Sequence, residues 1–161
     1  MSLSEMFHVG VVVPELEAAR ARLTDLLGVS WGPIVETATL EVRDGSGRDL
    51  VVPNRICYST APPYIELVEE QPGTTWVCNE HSNIHHIGFF STAVAADSQG
   101  LARAHCPLEL TGRGEDAAPA GFAYHRDPLG VRIELVDAAM REVMEGWLFK
   151  PEGAGGTIPP A

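Results

Sequence analysis

The sequence predicts an α+β fold in which two βαβββ modules pair into one curved mixed sheet around a central cleft. Two paired observations predict it. Phe7-His8-Val9-Gly10-Val11 and His85-His86-Ile87-Gly88-Phe89 share one order: aromatic, histidine, aliphatic, glycine, apolar. Later, Tyr64-Ile65-Glu66-Leu67-Val68 is echoed by Arg132-Ile133-Glu134-Leu135-Val136. Self-similarity of this kind marks a duplicated structural unit. The His-to-Glu spacing is 58 residues in the first copy (66 − 8) and 48 in the second (134 − 86). A ten-residue loop insertion in the first copy reconciles the two.

Each element between those strands has its own signal. Pro14 to Leu27 reads as a helix, with proline in its first turn and Leu16, Ala19, Leu23, Leu26 and Leu27 on one face. Gly28 supplies a left-handed stop. The matching helix runs from about Ala95 to His105, with Gly100 inside it and Pro107 ending it. Strands follow at Ile34–Val42 and Val51–Tyr58, the second interrupted by Pro53, around an Asp44-Gly45-Ser46-Gly47 turn. In the second copy, Leu108–Leu110 and Gly121–His125 precede the turn Asp127-Pro128-Leu129-Gly130. Tyr64–Glu69 and Val131–Val136 are the closing strands. The resulting plan is one domain at 1–137, with repeats at about 5–70 and 83–137. A terminal helix at 138–150 is capped by Asp137, and a Gly/Pro-rich tail occupies 151–161.

Bulk properties exclude several function classes. With 161 residues and 45% hydrophobic content, the chain can bury one substantial core. Its net charge of −11 opposes binding to nucleic acid and to anionic membrane surfaces. No apolar run approaches the length of a spanning helix, and the N-terminus lacks the basic start and apolar stretch of a signal peptide. Three cysteines without a CxxC pair suit a reduced, cytoplasmic protein.

Strand parity then points to a site. Side chains alternate across a strand, so His8, Gly10 and Val12 share one face while Val9, Val11 and Val13 share the helix-packed one. By the same alternation His86 stands opposite His85 and Ile87, and Glu66 and Glu134 stand opposite their flanking Ile and Leu. Taken singly, a strand histidine is most often a packed structural residue, and a strand glutamate a solvated charge. The same pair repeated in the same order and parity changes that balance. Each half places one His and one Glu on its non-core face, and pairing about a pseudo-twofold axis brings all four into one cleft. Two neutral imidazoles and two carboxylates form a hard-to-borderline site for a divalent ion, with positions left for water or substrate.

These motifs, with Val13-Pro14 and Asp127-Pro128-Leu129-Gly130-Val131, resemble the vicinal oxygen chelate superfamily over about residues 6 to 137. That superfamily includes glyoxalase I, methylmalonyl-CoA epimerase, extradiol dioxygenases, and bleomycin and fosfomycin resistance proteins. The resemblance implies His8, Glu66, His86 and Glu134 as ligands of one divalent metal ion (Ni, Co, Zn, Mn or Fe). It implies an isomerase, epimerase or lyase working by proton transfer next to a metal-bound carbonyl or enediolate, with Glu134 or Glu66 as the base. A small-molecule substrate and a homodimer are implied too, with Met140, Met144 and Trp147 as a plausible contact. Glyoxalase I resembles this set in carrying glutamate at both carboxylate positions. The epimerases are closer in texture but usually carry glutamine where this chain has Glu66. Two alternatives stay open: a non-catalytic, drug-sequestering binding protein, and an extradiol-type Fe(II) dioxygenase, against which the extra carboxylate counts.

Around the ligands, Tyr64 and Phe90 share parity with Glu66 and His86 and are candidate substrate-binding residues, as is His125. His85 reads as a packed or supporting residue, and Trp76 and Trp147 as packing or dimer-contact residues. No glycine-rich phosphate loop is present, and the 11 Lys and Arg residues give no direct support for coenzyme A or glutathione binding. A neutral, aromatic or polyketide-like substrate is equally admissible.

Overall fold

The structure, a computed structural model, describes residues 6–115 and 118–153, and both βαβββ modules are present in it. The first comprises β1 (Met6–Val13), α1 (Leu16–Leu27), β2 (Val35–Asp44), β3 (Asp49–Tyr58) and β4 (Tyr64–Glu69). The second comprises β5 (Ile84–Ser91), α2 (Val94–Arg103), β6 (Leu108–Arg113), β7 (Pro119–Arg126) and β8 (Arg132–Asp137). The order around the sheet is β1-β4-β3-β2-β6-β7-β8-β5, and it closes into a barrel. Within each half the first strand runs parallel to the last, and the remaining neighbours are antiparallel. Two antiparallel seams join the halves: β1 with β5, and β2 with β6 through Val42↔Gly112, Arg43↔Thr111 and Asp44↔Leu110. The expected curved sheet therefore closes upon itself.

Local chemistry accounts for the elements. Glu15 caps α1 by accepting the Ala18 N–H at 2.8 Å, and Gly28 ends it at φ 69°, donating its N–H to the Thr24 carbonyl. The helix meets the sheet through Leu16, Ala19 and Leu23 against Val13, Cys57 and Leu67. Leu26 and Leu27, expected on the same buried face, are exposed because only the earlier turns lie over strands. Pro53 does not interrupt β3. It lies where the β2 register slips between Thr37 and Leu40, a bulge at which the missing N–H of proline costs no ladder bond. Beneath α2, Val94 and Leu101 cover Ala123 and Leu135. Both helices thus lie on the outer face of the barrel, α1 over β4 and α2 over β7 and β8.

Inward-facing side chains line the interior. Val12, Val42, Val68, Trp76, Leu110 and Tyr124 form one internal cluster. Tyr58, Phe90 and Val136 form another, closed by Met144, Leu148 and Phe149 from the C-terminal segment. Asp137 begins that segment as expected, its carboxylate accepting the Ala139 N–H at 2.9 Å. The segment is not one regular α-helix. A 3-10 turn (Ala138–Met140), an α turn (Arg141–Val143) and a π turn (Met144–Leu148) succeed one another. Burial of Met144, Leu148 and Phe149 on the barrel outweighs ideal helix geometry here. Met144, expected as a dimer contact, is spent inside its own chain. Of the predicted tail, residues 154–161 lie outside the described residues.

Candidate metal centre

The register of β1, β4, β5 and β8 builds the site in two rungs. On one rung Gly10 lies between Glu66 of β4 and His86 of β5. On the other, Gly88 lies between His8 of β1 and Glu134 of β8. Each glycine makes room for the imidazole of the opposite half. A Cβ on Gly10 would stand 1.8 Å from Cε1 of His86, and one on Gly88 would stand 1.9 Å from Cε1 of His8. Neither position needs a left-handed backbone, so the requirement for glycine is one of space. The repeated His-x-Gly motif is therefore a reciprocal fit: the glycine of each copy seats the histidine of the other.

All four predicted ligands meet. His8, Glu66, His86 and Glu134 are buried, and one donor atom from each lies within 4.8 Å of every other. Expected on a non-core face, they stand instead in the barrel interior, because closure of the sheet buries both faces. Nε2 of His8 lies 2.8 Å from Nε2 of His86, 2.9 Å from Oε2 of Glu134 and 3.5 Å from Oε2 of Glu66. Nε2 of His86 lies 3.0 Å from Oε2 of Glu66 and 3.2 Å from Oε2 of Glu134. A divalent ion bonded at about 2.1 Å needs donors about 3.0 Å apart at right angles, or about 3.4 Å apart in a tetrahedron. The observed separations match that span. Apart from the two imidazoles, Oε2 of each buried glutamate has no hydrogen-bond partner among the described residues. Two carboxylates buried against only two imidazoles are costly, and a shared cation satisfies such a set. The donors fit a divalent metal.

Electrostatics of the protein alone point the same way. Burial lowers the His8 pKa, but the Glu134 and Glu66 carboxylates outweigh it and raise it to about 9. His86 is raised for the same reason, against its own burial. Burial acts to raise both glutamates, yet the two imidazoles hold them below the usual carboxylate range. The cluster thus holds two anions and attracts positive charge to the point where the four donor atoms converge.

Neighbouring residues orient the candidate donors. Nε2 of His85 lies 2.7 Å from the Thr75 carbonyl, and its Nδ1 lies 2.9 Å from Nδ1 of His86. A carbonyl can only accept, so His85 carries its proton on Nε2, and its Nδ1 receives the N–H of His86 Nδ1. His86 Nε2 is then the nitrogen that faces the other donors and would offer its lone pair to an ion on losing its proton. Burial, foremost, and the Arg132 charge lower the His85 pKa to about 3, which keeps this ring neutral. The supporting role expected for His85 fits this geometry.

Two tyrosines complete the doubled arrangement, and the sequence reading passed over both. Tyr58 is the cross-strand partner of Glu66, and Tyr124 that of Glu134. The Tyr58 hydroxyl donates to Oε1 of Glu66. Tyr124 lies beside Glu134 and accepts the Trp76 indole N–H at 3.3 Å. Burial and the adjacent carboxylates push both phenols well above their ordinary pKa, so both remain O–H donors. A tyrosine near the end of the third strand of each copy was the available signal.

Tyr58, Glu66, Tyr124 and Glu134 border a cavity of about 270 Å³. Its other walls are largely apolar, with Leu40, Ile56, Trp76, Phe122, Val136 and Met144 among them. The three residues expected to bind substrate do not line it. Tyr64 stacks on Phe149 and Phe90 on Phe7, and both border a separate groove with Arg141. His125 has the opposite parity to Tyr124. It is buried on the α2 side, bonded to the Cys106 carbonyl at 2.8 Å and to Ser98 Oγ at 2.9 Å. Trp76, expected as a packing or dimer-contact residue, is buried in the internal cluster and also forms cavity wall.

Comparison with known proteins agrees with this architecture. No curated protein sequence matches the chain. Among solved structures, a methylmalonyl-CoA epimerase in complex with methylmalonyl-CoA and NH4+ is similar at 18% identity and a TM-score of 0.58. That similarity covers 86% of this chain and 96% of the other. A Streptomyces coelicolor methylmalonyl-CoA epimerase variant in complex with 2-nitronate-propionyl-CoA gives the same identity, coverage and TM-score. The Mycobacterium tuberculosis methylmalonyl-CoA epimerase is similar at 19% identity and a TM-score of 0.51, over 84% of this chain and 88% of the other. At these identities the likeness is one of fold. Residues 7–124 match the Glyoxalase/Bleomycin resistance protein/Dioxygenase superfamily, and the chain belongs to that superfamily.

Proposed function

We propose that the protein is a divalent-metal-dependent enzyme that moves a proton at a carbon next to a carbonyl, as an isomerase, epimerase or lyase. The observation that carries this reading is the pair of buried carboxylates whose Oε2 atoms meet two imidazoles, and no other partner among the described residues, at the wall of an apolar cavity. His8, His86, Glu66 and Glu134 would hold the ion. A bound divalent ion supplies Lewis-acid stabilisation of the negative charge that develops on the carbonyl oxygen as the neighbouring C–H bond breaks.

The chain's own groups handle the proton. Glu66 is anchored through Oε1 by Tyr58, which favours it as the fixed carboxylate. Glu134 lines the cavity beside Tyr124 and takes the proton from carbon, then returns it. The apolar walls exclude water from the carbanionic stage. Tyr58, protonated across the physiological range, keeps Glu66 oriented. A drug-sequestering role gains support from the apolar cavity, but it has no use for two carboxylates buried at the wall.

Deuterium exchange at the substrate C–H tests the assignment: exchange disappears in Glu134→Gln with metal binding retained, and unchanged exchange contradicts Glu134 as the base. Failure to take up Ni, Co, Zn or Mn would leave only the sequestering reading. Oxygen uptake with catechols would instead favour a dioxygenase.

A further inference from the structure

We propose that the cavity selects an uncharged, mainly apolar carbonyl compound of aryl-ketone size, and rejects coenzyme A thioesters and free carboxylates. The carbonyl part of this statement rests on the function proposed above; the charge selection rests on the cavity.

All eleven Lys and Arg residues fall among the described residues, so their placement can be followed completely. None lines the cavity. Eight of them, including Arg55, Arg132 and Arg141, already face carboxylates elsewhere. Arg141 follows the cavity-lining Met140 in sequence, yet its guanidinium lies 4.2 Å from the centre of the Phe90 ring, in the neighbouring groove.

The charged groups that do border the cavity are Glu66 and Glu134. A divalent ion cancels those two charges and leaves no surplus to draw in an anion. A ligand carboxylate or phosphate placed in the apolar part of the cavity, away from the ion, would lose its hydration with no cationic side chain to pair with, which is strongly unfavourable. An uncharged aromatic ligand meets the opposite situation. Trp76, Phe122, Tyr58 and Tyr124 supply aromatic wall, and the flexible Met140 and Met144 side chains can adapt to its outline. The 270 Å³ volume lies at the small end for ligand sites, which suits one or two rings.

The test uses a matched pair differing in one charge, 1-phenyl-1,2-propanedione and benzoylformate, together with methylmalonyl-CoA. Each is titrated calorimetrically into the full chain, with and without one equivalent of Zn²⁺. The expected result is saturable binding of the diketone at least tenfold tighter than either anion in both forms. That binding should weaken at least tenfold in Leu40→Trp or, independently, in Met140→Trp, whose added bulk fills the cavity. Zn²⁺ uptake by each variant reports that it is folded. Equal or tighter binding of benzoylformate or methylmalonyl-CoA, or no saturable diketone binding in either form, overturns the proposal. Loss of metal uptake or deuterium exchange, with the charge preference intact, would sink the proposed reaction and leave this inference standing.

Discussion

Replacing Gly88 by alanine tests the reciprocal fit at its tightest point. The new Cβ would lie 1.9 Å from Cε1, 2.2 Å from Nδ1 and 2.6 Å from Nε2 of His8. To restore a contact of 3.4 Å the ring must retreat by about 1.5 Å (3.4 − 1.9). It has little space to do so, since His8 is fully buried between Phe7, Tyr58 and His86. Metal–ligand bonds tolerate only about 0.2 Å, so His8 leaves the donor set. Zinc affinity should fall by at least the roughly 10–100-fold that loss of a mere outer partner costs. Stability of the metal-free protein should fall by about 1–3 kcal/mol, as in other overpacked cores. Competition with a chromophoric chelator measures the first quantity, and urea unfolding the second. Gly28→Ala is the control: its Cβ meets open space but its φ of 69° disfavours alanine, so it should cost about 1 kcal/mol and leave zinc affinity unchanged. If Gly88→Ala binds zinc within about threefold of the parent, the housing of His8 by this glycine is wrong.

Other outcomes follow from the same geometry. His85→Ala removes the acceptor for the His86 Nδ1 proton; zinc affinity should drop about 10–100-fold, and nitrogen NMR should show mixed tautomers at His86. An unchanged single tautomer would remove His85 from the supporting chain. Without metal, stability should peak near pH 6.5. Above it, the contribution of His8, whose pKa rises from 6.5 to about 9 on folding, is lost as pH climbs through that window, on the order of 3 kcal/mol in all. Below it, His85, lowered to about 3, resists the proton that the unfolded chain takes up, so stability falls again. Urea midpoints at pH 5, 6.5 and 9 measure the curve; a monotonic profile would contradict it, and bound zinc should flatten the alkaline limb.

Much of this was legible because the decisive signals are local. The His-x-Gly and Ile-Glu-Leu strands each carry their own period of two, so parity alone places His8, Glu66, His86 and Glu134 on matching faces. What parity cannot supply is which strand lies opposite. The β2–β6 seam pairs residues about 70 apart, Val42 with Gly112, and nothing in either strand announces the partner. Without that closure the donor face reads as open and solvated rather than interior. The same gap explains the substrate residues. Tyr124 and His125 are neighbours of opposite parity, and only the register of β7 with β8 shows that Tyr124 faces Glu134 while His125 packs under α2. Tyr58 looked like any strand aromatic for the same reason. The apolar spacing of the terminal segment marks a helix, but not its mixed 3-10, α and π winding, because burial of Met144, Leu148 and Phe149 is a tertiary gain with no local trace.

The crossed seating of the two imidazoles has a consequence for how the molecule holds together. Since neither half can house its own histidine without a glycine from the other, half a chain has no preformed half-site to offer an ion. Docking of the modules and creation of the binding centre are then a single event, and affinity for the cation doubles as a gauge of how tightly the modules grip each other. An ion present at a hundred times its dissociation constant would strengthen that grip by about 2.7 kcal/mol, acting as a removable rivet between the two modules.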